Sequence, residues 1–135
     1  MSDYPFQTDN PAVAAAHREA DAIQEYMGRP ATLEDPAALT YRLRDLDAYM
    51  ARLSDMLIRA KATREWEKHK FLSENADKLN KMTATVSNRL IDQHLLDLTA
   101  LYNRLDSMYH TMEHLTRDLV TQISYIKQQM QAFNG

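Results

Sequence analysis

The chain has 135 residues, enough for one domain, and its 16 Lys and Arg against 19 Asp and Glu leave a net charge of −3. That balance argues against a protein built around duplex-phosphate contacts, which takes a basic excess. There is no cysteine, so a disulfide scaffold, a thiol nucleophile and a cysteine zinc site are excluded. Two glycines and four prolines point to long uninterrupted helices.

Residues 1–10 are expected to form a flexible arm, since MSDYPFQTD carries no hydrophobic period. No run in the first thirty residues has the roughly 7–15 consecutive apolar residues of a secretory h-region, and no stretch anywhere reaches the about 18 of a membrane span. A soluble protein of a reducing cytoplasm is expected, with no membrane partner. Asn10 before Pro11 is a helix start, an N-cap side chain ahead of a proline at the first helical position. Val13, Ala16, Ala20, Ile23 and Met27 then advance by threes and fours, predicting a helix over 11–27. Gly28 fits the position after its end and Pro30 stops continuation.

Asp35-Pro36 repeats the cap-and-proline signal. Behind it Leu39, Leu43, Leu46, Met50, Leu53, Leu57 and Ala60 form a heptad seam, predicting a helix over about 36–74. The seam meets Arg64 and Glu67 and regains an apolar residue only at Phe71, within RAKATREWEKHKFL, whose helical propensity stays high. A turn is expected in SENADKLNKMTAT, with Thr83 or Thr85 capping the next helix. That helix, about 84–133, carries Leu98, Leu101, Leu105, Met108, Met112, Leu115 and Leu119. Its seam then steps to Ile123, Ile126, Met130 and Phe133, a stutter that locally unwinds a left-handed supercoil.

The predicted fold is all-α: a short N-terminal helix and a long antiparallel, coiled-coil-like hairpin in one domain over 11–135. Tyr49 and Met56 on one long helix, and Leu95, Tyr102 and Tyr109 on the other, widen the seams beyond a two-position stripe. Such width calls for more than one neighbouring helix, and the short helix covers only about a third of the hairpin. A homodimer or larger helical bundle is therefore expected. Its core would hold Leu46, Met50, Leu53, Leu57, Leu101, Leu105, Met108, Met112, Leu115 and Leu119.

Residues that carry chemistry are few. His110 and His114 share a helical face, but outside the seam, where open surface gives no closed coordination, and Thr111 stands where a zinc protease has its glutamate. No metal or cofactor is expected. His94 falls in the seam between Ile91 and Leu98 and is expected as a hydrogen-bonded core histidine that fixes register. Ser124 has no histidine nearby in the sequence to activate it, and the chain has too few glycines for a phosphate loop. No catalytic residues are expected, and the chain is read as no enzyme. The segment Arg59 to Lys70 is the candidate binding stretch. Arg59, Arg64, Lys68 and Lys70 surround the single tryptophan, Trp66, with His69 beside it. A basic helical stretch with aromatics can grip phosphates while a ring stacks on a base.

LSDMLIRAKATREWEKHK (53–70), MTATVSNRLID (82–92) and LTRDLVTQISYIKQQM (115–130) resemble small all-helical early-region proteins of bacterial phages and prophages, over about residues 39–131. The tail residues Ile123, Ser124, Tyr125 and Lys127 are the positions that correspond to that group's ending near Leu-x-Ser-Tyr-x-Lys. The resemblance implies a non-catalytic phage protein that binds and inhibits or sequesters a host partner, a defence protein or a small nucleotide signal, in the host cytoplasm. The alternatives are an accessory of phage recombination or replication that holds single-stranded DNA, and a structural component of the virion.

Overall fold

Asp35 and Pro36 do what their types predict. In the computed structural model, which describes residues 10–29 and 35–134, the Asp35 carboxylate accepts the Ala37 amide at 3.0 Å, and Pro36 opens the first long helix. The described residues form five helices, α1 (Asn10–Met27), α2 (Pro36–Glu74), α3 (Ala76–Asn80), α4 (Ala84–His94) and α5 (Leu96–Asn134) in chain order, and no strand. Of the expected arm over 1–10, residues 1–9 lie outside the described residues, as does the stop at Pro30, while Asn10 is the first residue of α1.

α2 and α5 pack antiparallel. Arg64 on α2 meets Thr99 on α5, while Glu67, later in α2, meets His94, just before α5 begins. α1 lies in the groove between them. It runs antiparallel to α2, because Glu19 pairs with Arg52 while Tyr26 bonds Asp45 at 2.8 Å. Ala16, Ala20 and Ile23 are buried against the hairpin, and the small alanines allow α1 a close approach.

The α2 seam is sunk deepest every seventh residue, at Leu39, Leu46, Leu53 and Ala60; the interleaved Leu43, Met50 and Leu57 are only half-buried. On α5, Leu101, Leu105, Met108, Met112 and Leu119, expected in a core shared between copies, are already buried within the single chain, with Leu115 half-buried at the edge of the core. Much of the extra seam width is taken up inside one chain. Met56 is fully buried, and Tyr49 packs its ring 4.8 Å from that of Tyr26 on α1. Leu95 is also fully buried.

Three details differ from the sequence reading. Gly28 does not adopt a left-handed backbone; its amide reaches back to the Gln24 carbonyl at 3.1 Å as in a continuing helix. The expected turn holds a short helix, α3, before Thr83 caps α4 by accepting the Val86 amide. The expected helix over 84–133 is two helices, parted at Leu95 (φ −96°, ψ 6°). The break shifts the seam by one residue. Leu95 takes the core place due to His94, and the imidazole turns to the flank. Burying a leucine in place of a polar ring is the favourable exchange.

Candidate functional site

The interruption of the α2 seam has a physical cause. Past Leu53 the buried face passes through Met56, Ala60 and Thr63; Ala60 keeps the heptad, while Met56 and Thr63 come one residue before the seam positions Leu57 and Arg64. Thr63 is fully buried, its hydroxyl donating to the Arg59 carbonyl at 2.8 Å, so the polar atom is satisfied within its own helix. Arg64 is thereby carried to the flank. Its Nε donates to Thr99 Oγ1 at 2.9 Å, which aims the guanidinium along the α2–α5 groove.

One turn on, Glu67 fills the seam. Its side chain is 13% exposed and its Oε1 accepts from His94 Nε2 at 2.9 Å. Phe71 stacks on the same imidazole with centroids 4.3 Å apart. Glu67 Oε2 is buried without a hydrogen-bond partner among the described residues. This end of the hairpin is thus held by polar and aromatic contacts where the middle is held by leucines.

The six residues predicted to form a binding site are not brought together. Arg59, Trp66 and Lys70, spaced by seven and four, share one flank of α2. There Arg59 pairs with Asp55 at 3.3 Å, and the Lys70 ammonium sits 5.3 Å from the centroid of the half-exposed Trp66 ring. Arg64 and Lys68 lie on the opposite flank, and His69 is exposed on the outer face. Helical geometry separates what the linear sequence gathers. The tightest convergence is a cavity of about 260 Å³ formed by Lys61, Arg64 and Glu65 of α2 with Thr99, Tyr102 and Asn103 of α5.

Another cavity was not foreseen. It measures about 470 Å³ and is a groove between α1 and α5, with Met27, Met108 and Leu115 on its floor and Gln24, Arg104, Ser107 and Thr111 at its rim. Arg104 anchors the wall, its guanidinium donating to His17 Nδ1 (3.0 Å), the His17 carbonyl (3.3 Å), Asp21 (2.5 Å) and Gln24 Oε1 (2.9 Å). A second cavity of about 260 Å³ continues past the end of α1 and shares Met27 and Leu115. The signal in the sequence was the methionines at the seam edges, which suit an adaptable apolar surface. Where α1 would dock was not readable.

Elsewhere α1 is tied by Glu19 and Arg52; the Arg52 hydrogen bond holds the Glu19 carboxyl below its ordinary pKa, and Glu19 in turn raises that of Arg52. Partial burial raises the Tyr26 phenol, and its bond to Asp45 adds to this. His110 lies on the surface between Asp106 (3.5 Å) and Glu113 (3.2 Å). Among the described residues no three His, Asp or Glu side chains cluster to hold a metal ion, and no helix is long and apolar enough to cross a membrane. No known protein family matches the chain, and no curated protein or solved structure matches it either.

Proposed function

We propose that this protein is a non-catalytic helical binding protein that works as a self-associated assembly and sequesters or blocks a partner. One observation carries the reading. The apolar seam of α5 outlasts its cover, with Met130 51% and Phe133 95% exposed while the same seam is buried at Leu119 and Ile123. Tyr125 and Val120 add exposed apolar surface to this end. Exposed apolar surface gathered at one end of a soluble helix marks an interaction site.

The resemblance to phage early proteins supports a host protein or a small nucleotide in the host cytoplasm as the target. Sedimentation equilibrium at tens of micromolar tests the assembly, and a monomer throughout overturns it. Thermal shift against a panel of linear and cyclic nucleotides tests the small-ligand branch, because a ligand that binds the folded state raises its melting temperature. A host protein captured from cells must then bind the purified chain in stoichiometric ratio.

A second reading draws on Trp66, half-exposed with Lys70 beside its ring. Such a pair suits stacking on single-stranded DNA. Salt-dependent oligonucleotide binding lost in Trp66→Ala with Lys70→Glu would favour it over sequestration; no binding at low salt ends it.

A further inference from the structure

The α1–α5 groove and the bare end of α5 lie on one face of the same helix. Phe133 is eighteen residues beyond Leu115, five full turns, and so repeats its angular position. α1 stops at Met27, level with Leu115, where the two residues line both cavities. The groove is therefore open toward the tail. The chain carries an apolar slot and, further along the same face, an apolar plug.

We infer that two copies pair through antiparallel α5 helices, each placing its Phe133 in the partner copy's α1–α5 groove. The inference rests on the self-association reading and names its interface. A two-fold axis at the Val120–Thr121 peptide sets Phe133 of one copy against Met108 of the other, Met130 against Thr111, and Ile126 against Leu115. Each of these pairs is symmetric about that point in the sequence. Leu115 and Ile126, both only half-buried in one chain, then cover each other. The interface is isologous and closes at two subunits.

Charge and size agree with a second copy as the occupant. The segment YIKQQMQAFN (125–134) has a single charged side chain, Lys127. Over Met108 the groove rim has neutral Gln24, Ser107 and Thr111 and one charge, Arg104, already bonded to Asp21, while its continuation past α1 adds charges of both signs, Arg29, Arg42 and Asp118. An amide-rich, nearly neutral helix fits that rim, whereas a strongly charged one would leave its charges unpaired. The paired span, 108–133, is about 39 Å long. A strip of that length and one helix wide covers on the order of 1,000 Å² over both copies, at the low end for specific interfaces.

The cysteine-free chain permits a direct test. Thr111 and Met130 are both exposed, so the double variant Thr111→Cys with Met130→Cys leaves the core intact. Within one chain the two thiols are about 28 Å apart along α5 and cannot join. Across the proposed axis they face each other, and mild oxidation yields a covalent dimer on a denaturing gel. Either single variant yields none, because its two copies lie about 28 Å apart. Phe133→Glu, at a site that packs against nothing in one chain, weakens dimerisation at least about tenfold with helicity unchanged. A dimer that forms without the double-cysteine link, or resists Phe133→Glu, overturns this interface while leaving self-association standing. A chain monomeric in sedimentation overturns both.

Discussion

The middle of the hairpin and its α4 end are built from the same two long helices on different principles. In the middle, α1 closes a three-helix core in which Ala20, Leu53, Leu101, Leu105 and Met112 are fully buried. At the far end α4 has no buried side chain, Leu79, Leu95 and Leu98 are buried apart from the main core, and the hairpin is also joined through Arg64 to Thr99 and Glu67 to His94. Apolar burial contributes roughly 1.5–3 kcal/mol per large side chain, while a hydrogen bond contributes about 0.5–1.5 kcal/mol net. With more apolar burial, the clad middle is expected to set global stability and the polar end to open at lower free energy.

Four perturbations break or sharpen that contrast. Leu53→Ala, at the centre of the clad region, is expected to cost about 2–5 kcal/mol in denaturant unfolding; a change below about 1 kcal/mol would mean the middle is no more consolidated than the ends. Arg104→Ala removes four contacts that fasten α1 and is expected to cost about 1–3 kcal/mol. Hydrogen exchange should then rise across α1 and leave α4 unchanged. Gly28→Ala should stabilise by about 0.4–1 kcal/mol, because Gly28 lacks a left-handed backbone and an added Cβ would meet only carbonyl oxygens at 3.7 Å.

The smallest effect is the acid response of the α1 tie. The Glu19 carboxyl is held below 4.5 by its hydrogen bond to Arg52. Its contribution is therefore fully present above that value and is lost as pH falls through the lowered folded one. The pair is partly exposed, so its weight is small. Stability measured from neutral pH to below pH 4 should fall less steeply in Glu19→Gln than in the unaltered chain.

The α2 helix, the Asp35 cap, Thr83 as one of two cap candidates, and nearly all of the α5 seam were legible because they depend on local propensity and on apolar side chains at helical spacing. The binding segment was not legible in the same way. Arg59, Trp66 and Lys70 read as one site with Arg64, Lys68 and His69 only while the chain is linear; winding it into α2 sends them to different faces. His94 was misplaced because a strict heptad was carried through Leu95, where the helix breaks and the larger apolar neighbour takes the core position.

Periodicity and capping thus determined that the described residues are helical, where α1, α2 and α4 begin, and most of the side chains that face inward, but not the break at Leu95 that starts α5. Tertiary packing decided the rest. Docking of α1 absorbed Tyr49 and Met56 and opened the groove over Met27 and Met108. The antiparallel register of α2 on α5 chose Thr63 over Arg64 for the seam. A single helix records only the direction of each side chain; which neighbour it meets depends on the offset between helices, a quantity no local sequence window contains.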